Sequence, residues 1–76
     1  GTVVDVRIVF KVAFEQNATS IILTHNHPSG KLQASQSDIE ITKKLKLAGE
    51  QLEILILDHI IITENGYYSF QDEGIF

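Results

Sequence analysis

The stretch that decides the fold is HNHPSGKLQASQSD, residues 25–38. It contains two imidazoles, those of His25 and His27, and one carboxylate, that of Asp38. Three protein ligands with a fourth position left for water are typical of a catalytic zinc site. The stretch therefore predicts a divalent metal site, and the residues around it predict how the three side chains meet.

The two histidines are predicted to lie at the end of a buried strand. The apolar run Ile21–Leu23 leads directly into them. Side chains of a strand alternate between its two faces, so His25 and His27 point to the same side. Pro28 cannot donate to a sheet ladder and Gly30 permits a sharp turn, so we expect the strand to end there.

Asp38 is predicted to lie in the first turn of a helix. Ser35 is a preferred N-cap residue, and Asp38 follows at the spacing of a capping box. A strand end with two histidines can then face a helix start with a carboxylate. An alternative stays open here, because Ser-x-x-Asp is often a helix cap alone and two histidines on a strand are weak evidence by themselves.

The spacing of these residues resembles a known signature. The sequence contains His-x-His-Pro, followed after six residues by Ser-x-x-Asp, and this arrangement is similar to the JAMM (MPN) metalloprotease pattern. The segments Thr24–Gly30 (THNHPSG) and Leu57–Ile61 (LDHII) resemble the RadC family, bacterial proteins named for DNA repair. The resemblance extends from Gly1 to Phe70.

This resemblance implies an α/β fold of JAMM type, a mixed sheet with flanking helices. It also implies Zn²⁺ bound by His25, His27 and Asp38, with Ser35 helping to stabilise an oxyanion. The implied activity is hydrolysis of an amide bond, peptide or isopeptide, through a metal-activated water. A peptide or a protein would then be the substrate.

One part of the JAMM pattern has no counterpart in the sequence. The JAMM reaction uses a glutamate on a strand well upstream of the histidines, and Glu15 is the only glutamate before His25. Glu15 falls near the end of a predicted helix, so the catalytic role is not carried onto it. We expect residues 1–76 to be one RadC-like domain, the C-terminal portion of a JAMM domain truncated at its N-terminus, and a poor catalyst alone.

Size and composition limit the class of protein. Seventy-six residues with 43% hydrophobic content make one small domain. There is no cysteine, so a metal must be held by nitrogen and oxygen ligands. No apolar run reaches the length of a membrane span and no signal peptide opens the chain, so we expect a cytoplasmic protein without a membrane partner.

The charge of the chain disfavours nucleic acid as a partner. The formal net charge is −4, whereas a duplex-binding surface concentrates lysine and arginine. The only basic cluster is Lys43, Lys44 and Lys46, and Glu40 and Glu50 stand at helical spacing from it. An ion-paired, solvated helix face is the expected explanation.

Periodicity and turn residues predict the remaining elements. We expect a short strand ending at Val3-Val4, a helix capped by Asp5, a second helix with one apolar face, a strand covered on both faces, and a hairpin at Asn65-Gly66. The predicted ranges are 6–16 (helix), 20–25 (strand), 36–51 (helix), 54–62 (strand) and 67–70 (strand).

His59 lies within the second predicted strand and has two possible roles. On strand alternation it shares a face with Leu57 and Ile61, while Asp58 points to the other face. A core histidine with a hydrogen-bonded neighbour is the preferred interpretation. A metal-binding or catalytic role stays open.

Three functions remain possible from the sequence. The first is a JAMM-type metallohydrolase, the second is a non-catalytic interaction domain of the same fold, and the third is a DNA-repair accessory module. Ligand spacing favours the first, and acidic charge disfavours the third. We also expect a homo-oligomer, most simply a dimer, because a sheet edge and apolar surface would lack a cover.

Overall fold

The elements of the fold follow the predicted order. The computed structural model describes residues 4–27 and 30–76. The elements are Val6–Glu15 (α1), Ser20–Asn26 (β1), Gln36–Leu52 (α2), Leu55–Thr63 (β2) and Gly66–Ser69 (β3). Each lies within one or two residues of its predicted range. The predicted strand end at Val3-Val4 lies partly outside the described residues, and Val4 is not in a strand.

The three strands form one mixed sheet of order β1-β2-β3. β1 pairs with β2 in parallel, and β2 pairs with β3 antiparallel through the predicted hairpin. The predicted α/β fold with a mixed sheet and flanking helices is confirmed. Since β2 is central, the carboxyl end of β1 lies directly beside it. This end carries His25, which is paired with Ile61, and His27 follows directly after the strand.

The hydrophobic core lies between the two helices and one face of the sheet. Phe10 and Ala13 of α1 and Leu45 of α2 are buried there with Ile54 and Ile56. Burial of these side chains removes apolar surface from water, which is the main favourable contribution to folding. The histidines of β1 project on this same face, next to the start of α2.

A β-bulge changes which residues of β2 face the helices. Ile21 is paired with Ile56 but Ile22 with Asp58, so Leu57 is the extra residue. Leu57 is 47% exposed while His59 is 3% exposed. The expectation that they share a face was therefore wrong, because strict alternation does not hold across a bulge.

The other face of the sheet is open in the described residues. Ile22 of β1 and Leu55, Leu57 and Ile62 of β2 are exposed large hydrophobic residues. The expectation that β2 is covered on both faces was wrong for this part of the chain, because both helices pack on the opposite face. A continuous apolar run indicates which surface can be buried and does not indicate what covers it.

The end of α2 depends on one glycine. A Cβ at Gly49 would clash with the main-chain oxygen of Ile54, so only glycine lets the helix approach the start of β2 this closely. The amide of Ile54 donates to the main-chain oxygen of Gly49 at 2.8 Å. Gly49 therefore lowers helix propensity but permits the tight turn from α2 into the sheet.

The lysine cluster does not show the expected pairing. Among residues 4–27 and 30–76, the ion pairs of lysine and arginine are Arg7–Asp5 and Lys11–Glu15. The ammonium of Lys46 lies 4.3 Å from the centre of the Phe76 ring instead. Neither helix in these residues combines the length and apolar character needed to cross a membrane.

Candidate metal centre

The three predicted ligands meet at one point of the fold. His25 Nε2 lies 3.3 Å from Asp38 Oδ1, and His27 Nε2 lies 3.2 Å from Asp38 Oδ2. One ligand atom from each of the three residues lies within 4.8 Å of the others. The prediction that a strand end and a helix start bring these side chains together is confirmed.

The donor atoms have the chemistry and spacing of a zinc site. Imidazole nitrogen and carboxylate oxygen are both common zinc ligands, at about 2.0–2.2 Å. One ligand atom of each residue lies within 4.8 Å of the others, and the two imidazoles contact different oxygens of the Asp38 carboxylate. His25, His27 and Asp38 therefore fit the metal that the sequence predicts.

Asp38 is both a helix cap and a member of this cluster. Its Oδ2 accepts from the amide of Ser35 at 2.9 Å, and its own amide donates to Ser35 Oγ at 3.0 Å. This is the predicted capping box, and α2 begins at it. A carboxylate has lone pairs for both tasks, so the cap and the metal ligand are not exclusive alternatives.

The charge on Asp38 suits a cation. Burial raises the pKa of Asp38, but the hydrogen bonds from Ser35 and the nearby His25 and His27 outweigh this effect, so the pKa is lowered. Asp38 is therefore ionised at neutral pH. Its first-turn position is also favourable for a negative charge near the positive end of the helix dipole.

The two histidines are oriented by different partners. His25 Nδ1 lies 2.7 Å from Nε2 of His59, whereas His27 Nδ1 lies 3.3 Å from the main-chain oxygen of Lys31. Burial lowers the pKa of His25, although Asp38 opposes this shift. His25 is therefore neutral at pH 7. The carbonyl of Lys31 only accepts, so when His27 donates to it from Nδ1, the Nε2 lone pair is free for a metal ion.

His59 is buried behind His25. It is 3% exposed, and its ring stacks on Phe70 with centroids 4.7 Å apart. The expected core histidine with a hydrogen-bonded neighbour is confirmed. Burial, with His25 nearby, lowers the pKa of His59 to about 4 against the opposing effects of Asp38 and Asp58, so this ring is neutral at pH 7.

Sequence reasoning missed the contact between His59 and His25 and also missed Thr42. Thr42 is 2% exposed, and its Oγ1 lies 2.6 Å from His59 Nδ1. The apolar residues of α2 at helical spacing are Ile41, Leu45, Ala48 and Leu52, of which Leu52 is exposed. The sequence offered one signal for this contact: Thr42 is polar, follows Asp38 by four positions and lies beside that apolar face.

Ser35 lies at the edge of the cluster. Its Oγ accepts from the amide of Asp38, and a hydroxyl that accepts one hydrogen bond still has its own proton to donate. The side of the cluster at His27 opens onto a cleft of about 460 Å³, which Glu64 and Asn26 also line. Among the described residues, the metal-type cluster contains no glutamate.

The fold and the cluster together define a class of protein. It is an α/β domain with a His-His-Asp cluster between the end of a strand and the start of a helix. A family model described as a RadC-like JAB domain matches residues 1–75. The chain belongs to this RadC-like JAB domain family.

Relatives with similar sequences carry the name UPF0758 protein. One from Flavobacterium johnsoniae is 66% identical over 76 residues, which is 100% of this chain and 33% of the relative. One from Chlorobaculum tepidum is 45% identical over 75 residues, 99% of this chain and 34% of the relative. One from Thermotoga maritima is 47% identical over 68 residues, which is 90% of this chain and 31% of the relative. The chain thus spans about a third of the length of these relatives.

Proposed function

We propose that this chain binds one zinc ion through His25, His27 and Asp38 and contributes it to the hydrolysis of an amide bond. The observation that carries the proposal is the convergence of two imidazole Nε2 atoms on an ionised carboxylate at 3.2–3.3 Å. When bound in such a site, zinc lowers the pKa of a coordinated water to about 7 and polarises a carbonyl group.

The residues of the chain would divide the remaining work. His25 and His27 hold the ion as neutral ligands, and Asp38 offsets part of its charge. The hydroxyl of Ser35 donates to the oxygen that becomes negative when the substrate carbonyl is attacked, a contact that strengthens only in the transition state. A peptide or isopeptide bond is the proposed substrate, and the whole protein would select which one.

A general base is also needed to move a proton from water to the leaving amine. The JAMM family resemblance assigns this role to an upstream glutamate that has no counterpart here. Within the described residues, Glu64 lines the cleft beside His27 and is the carboxylate to test. We propose that the chain alone binds metal but turns over slowly.

A non-catalytic interaction domain is the second candidate. The exposed hydrophobic residues on the open sheet face, Ile22, Leu55 and Leu57, favour it. A second copy of the chain in a homodimer is the proposed occupant of that face. Binding to duplex DNA should be weak because few phosphates would be neutralised by a chain of net charge −4. We propose a cytoplasmic location.

Hydrolysis assays on the chain and on a longer protein that contains it test the activity. Zinc-loaded protein should cleave peptide or isopeptide substrates, and the longer protein should be faster. Ser35→Ala should lower kcat by about 10²–10³-fold, as for removal of one oxyanion donor. Asn26→Ala is the matched control for zinc binding, since Asn26 lies between the two histidines and is exposed. Turnover that survives Asp38→Asn would contradict the proposed function.

A further inference from the structure

A buried chain of hydrogen bonds connects the main chain of Asp38 to the ring of His25. Thr42 Oγ1 donates to the main-chain oxygen of Asp38 at 2.6 Å and lies 2.6 Å from His59 Nδ1. His59 Nε2 lies 2.7 Å from His25 Nδ1. Thr42 and His59 are 2% and 3% exposed. Since His25 faces the Asp38 carboxylate, this chain of hydrogen bonds begins and ends at Asp38.

The direction of every hydrogen bond in this chain follows from one carbonyl. A carbonyl oxygen only accepts, so the single hydroxyl proton of Thr42 is used toward Asp38. Thr42 Oγ1 must then accept from His59 Nδ1. A neutral imidazole has one N–H, so His59 Nε2 is an acceptor and His25 Nδ1 is the donor to it.

The opposite direction would remove one hydrogen bond from this chain. If His59 donated from Nε2 to His25, its Nδ1 would need the proton of Thr42, and the main-chain oxygen of Asp38 would lose that bond. The ring of His59 also stacks on Phe70 with ring planes 15° apart, a contact that favours this orientation of the ring plane.

We propose that Thr42 and His59 are positioning residues that hold His25 in the tautomer whose Nε2 lone pair is free for a metal ion. This inference rests on the proposed zinc site. His59 fixes the proton on Nδ1 of His25, and Thr42 fixes which nitrogen of His59 accepts. Partners of this kind, one contact away from the metal, orient metal-binding histidines and raise their affinity for the ion.

A substitution pair at Thr42 tests the inference without touching a ligand. Thr42→Val keeps the shape and removes the hydroxyl, and Thr42→Ser keeps the hydroxyl as the matched control. Long-range ¹H–¹⁵N correlation spectra of the metal-free chain near pH ~8, above the usual imidazole pKa, report which nitrogen of each histidine carries the proton. The wild-type chain and Thr42→Ser should show His25 protonated at Nδ1 alone, and Thr42→Val a mixture of tautomers.

Zinc affinity measured by competition with a chelator gives the second result. It should fall about 10–100-fold in Thr42→Val, the range for loss of such a partner, and change by less than about 3-fold in Thr42→Ser. His59→Phe, which keeps a ring against Phe70 but cannot accept, should fall at least as far. His59→Gln, whose amide can accept from His25 and donate to Thr42, should recover much of the loss.

The outcomes separate this inference from the proposed function. His25 protonated at Nε2 in the metal-free wild-type chain would overturn it, as would equal zinc affinity in Thr42→Val and Thr42→Ser. A wild-type protein with the expected tautomers but no zinc binding would overturn the proposed function. It would still support the positioning roles of Thr42 and His59. Circular dichroism of each variant identifies loss of fold. If Thr42→Val does not fold, the comparison of zinc affinity between His59→Phe and His59→Gln tests the inference instead.

Discussion

His25 and His27 stand on the same strand end, but the protein orients them in different ways. A buried ring at 2.7 Å orients His25, and an exposed main-chain oxygen at 3.3 Å orients His27. We call these the core side and the loop side of the candidate metal centre. The difference indicates that one ligand is preorganised by the hydrophobic core, whereas the other depends on the loop between β1 and α2.

The loop side is held by a few surface hydrogen bonds. The amide of Gly30 donates to the main-chain oxygen of His27 at 3.0 Å, and Asn65 Nδ2 donates to the main-chain oxygen of Gly30 at 3.3 Å. Gly30 has a φ of 78°, which favours glycine at this turn. Exposed bonds of this kind open more easily than buried ones, so the loop side should adjust when an ion binds.

Asp38→Asn should have the largest effect because Asp38 contacts both sides. Zinc affinity should fall by more than about 100-fold through loss of a charged ligand. Asparagine still offers an oxygen to the amide of Ser35, so the metal-free chain should lose only about 0.3–1 kcal/mol from the helix dipole. Zinc competition and urea unfolding measure the two effects. Unchanged stability of the metal-free variant would show that the charge of Asp38 does not stabilise α2 through the helix dipole.

Alanine at each histidine should separate the core side from the loop side. Both His25→Ala and His27→Ala should lose zinc. His25→Ala also leaves Nε2 of buried His59 without a partner, which should lower the free energy of unfolding by about 1–3 kcal/mol. His27→Ala should lower it by less, because the main-chain partner of His27 at Lys31 is exposed and water can take the place of the lost bond. Equal unfolding free energies for the two metal-free variants would mean that the two sides do not differ.

The core side should also weaken in acid through Asp58. Burial raises the pKa of Asp58, but hydrogen bonds from Ser69 Oγ and from the amides of Gln71 and His59 outweigh it, so the pKa is lowered below 3.8. A lowered carboxyl pKa stabilises the fold above the unfolded-state value, and this contribution is lost as the pH falls through the folded-state value.

Urea unfolding of the metal-free chain between pH ~2 and ~6 measures this loss. Ser69→Ala removes the hydroxyl donor to Asp58 and should flatten the acid side of the curve. Ser20→Ala, an exposed serine at the start of β1, is the control and should leave the curve unchanged. A curve for Ser69→Ala that matches the control would show that the Ser69 hydroxyl does not contribute to the acid sensitivity.

Asn65→Ala should have the smallest effect. It removes the side-chain donor to Gly30 and so loosens the loop that carries the carbonyl partner of His27. We expect a fall in zinc affinity of about 2–5-fold, equivalent to less than 1 kcal/mol, with no change in the unfolding of the metal-free chain. A fall as large as that of Thr42→Val would mean that the loop orients its histidine as firmly as the core does.

Local sequence signals were sufficient for the elements and for the three candidate ligands. The capping box at Ser35 and Asp38, the hairpin at Asn65-Gly66 and the strand end at His27 each depend on neighbouring residues. Such signals are readable from one sequence because the chain itself brings these residues together.

The remaining features depend on packing between distant segments. The bulge at Leu57 arises from the register between β1 and β2, and it changed the residues that face the helices. The chain through Thr42 and His59 requires α2 to lie against β2 at hydrogen-bonding distance. Neither the register nor that distance is encoded in any short segment, so the sequence could not predict them.

A zinc titration by calorimetry tests the central claim most directly. The wild-type chain and Asn26→Ala should each bind one zinc ion. The double variant His25→Ala, His27→Ala should bind none. Wild-type affinity should fall as the pH drops through the lowered pKa of His25, because imidazoles bind metal only when deprotonated. Stoichiometric zinc retained by the double variant would contradict the claim that these histidines and Asp38 form a metal centre.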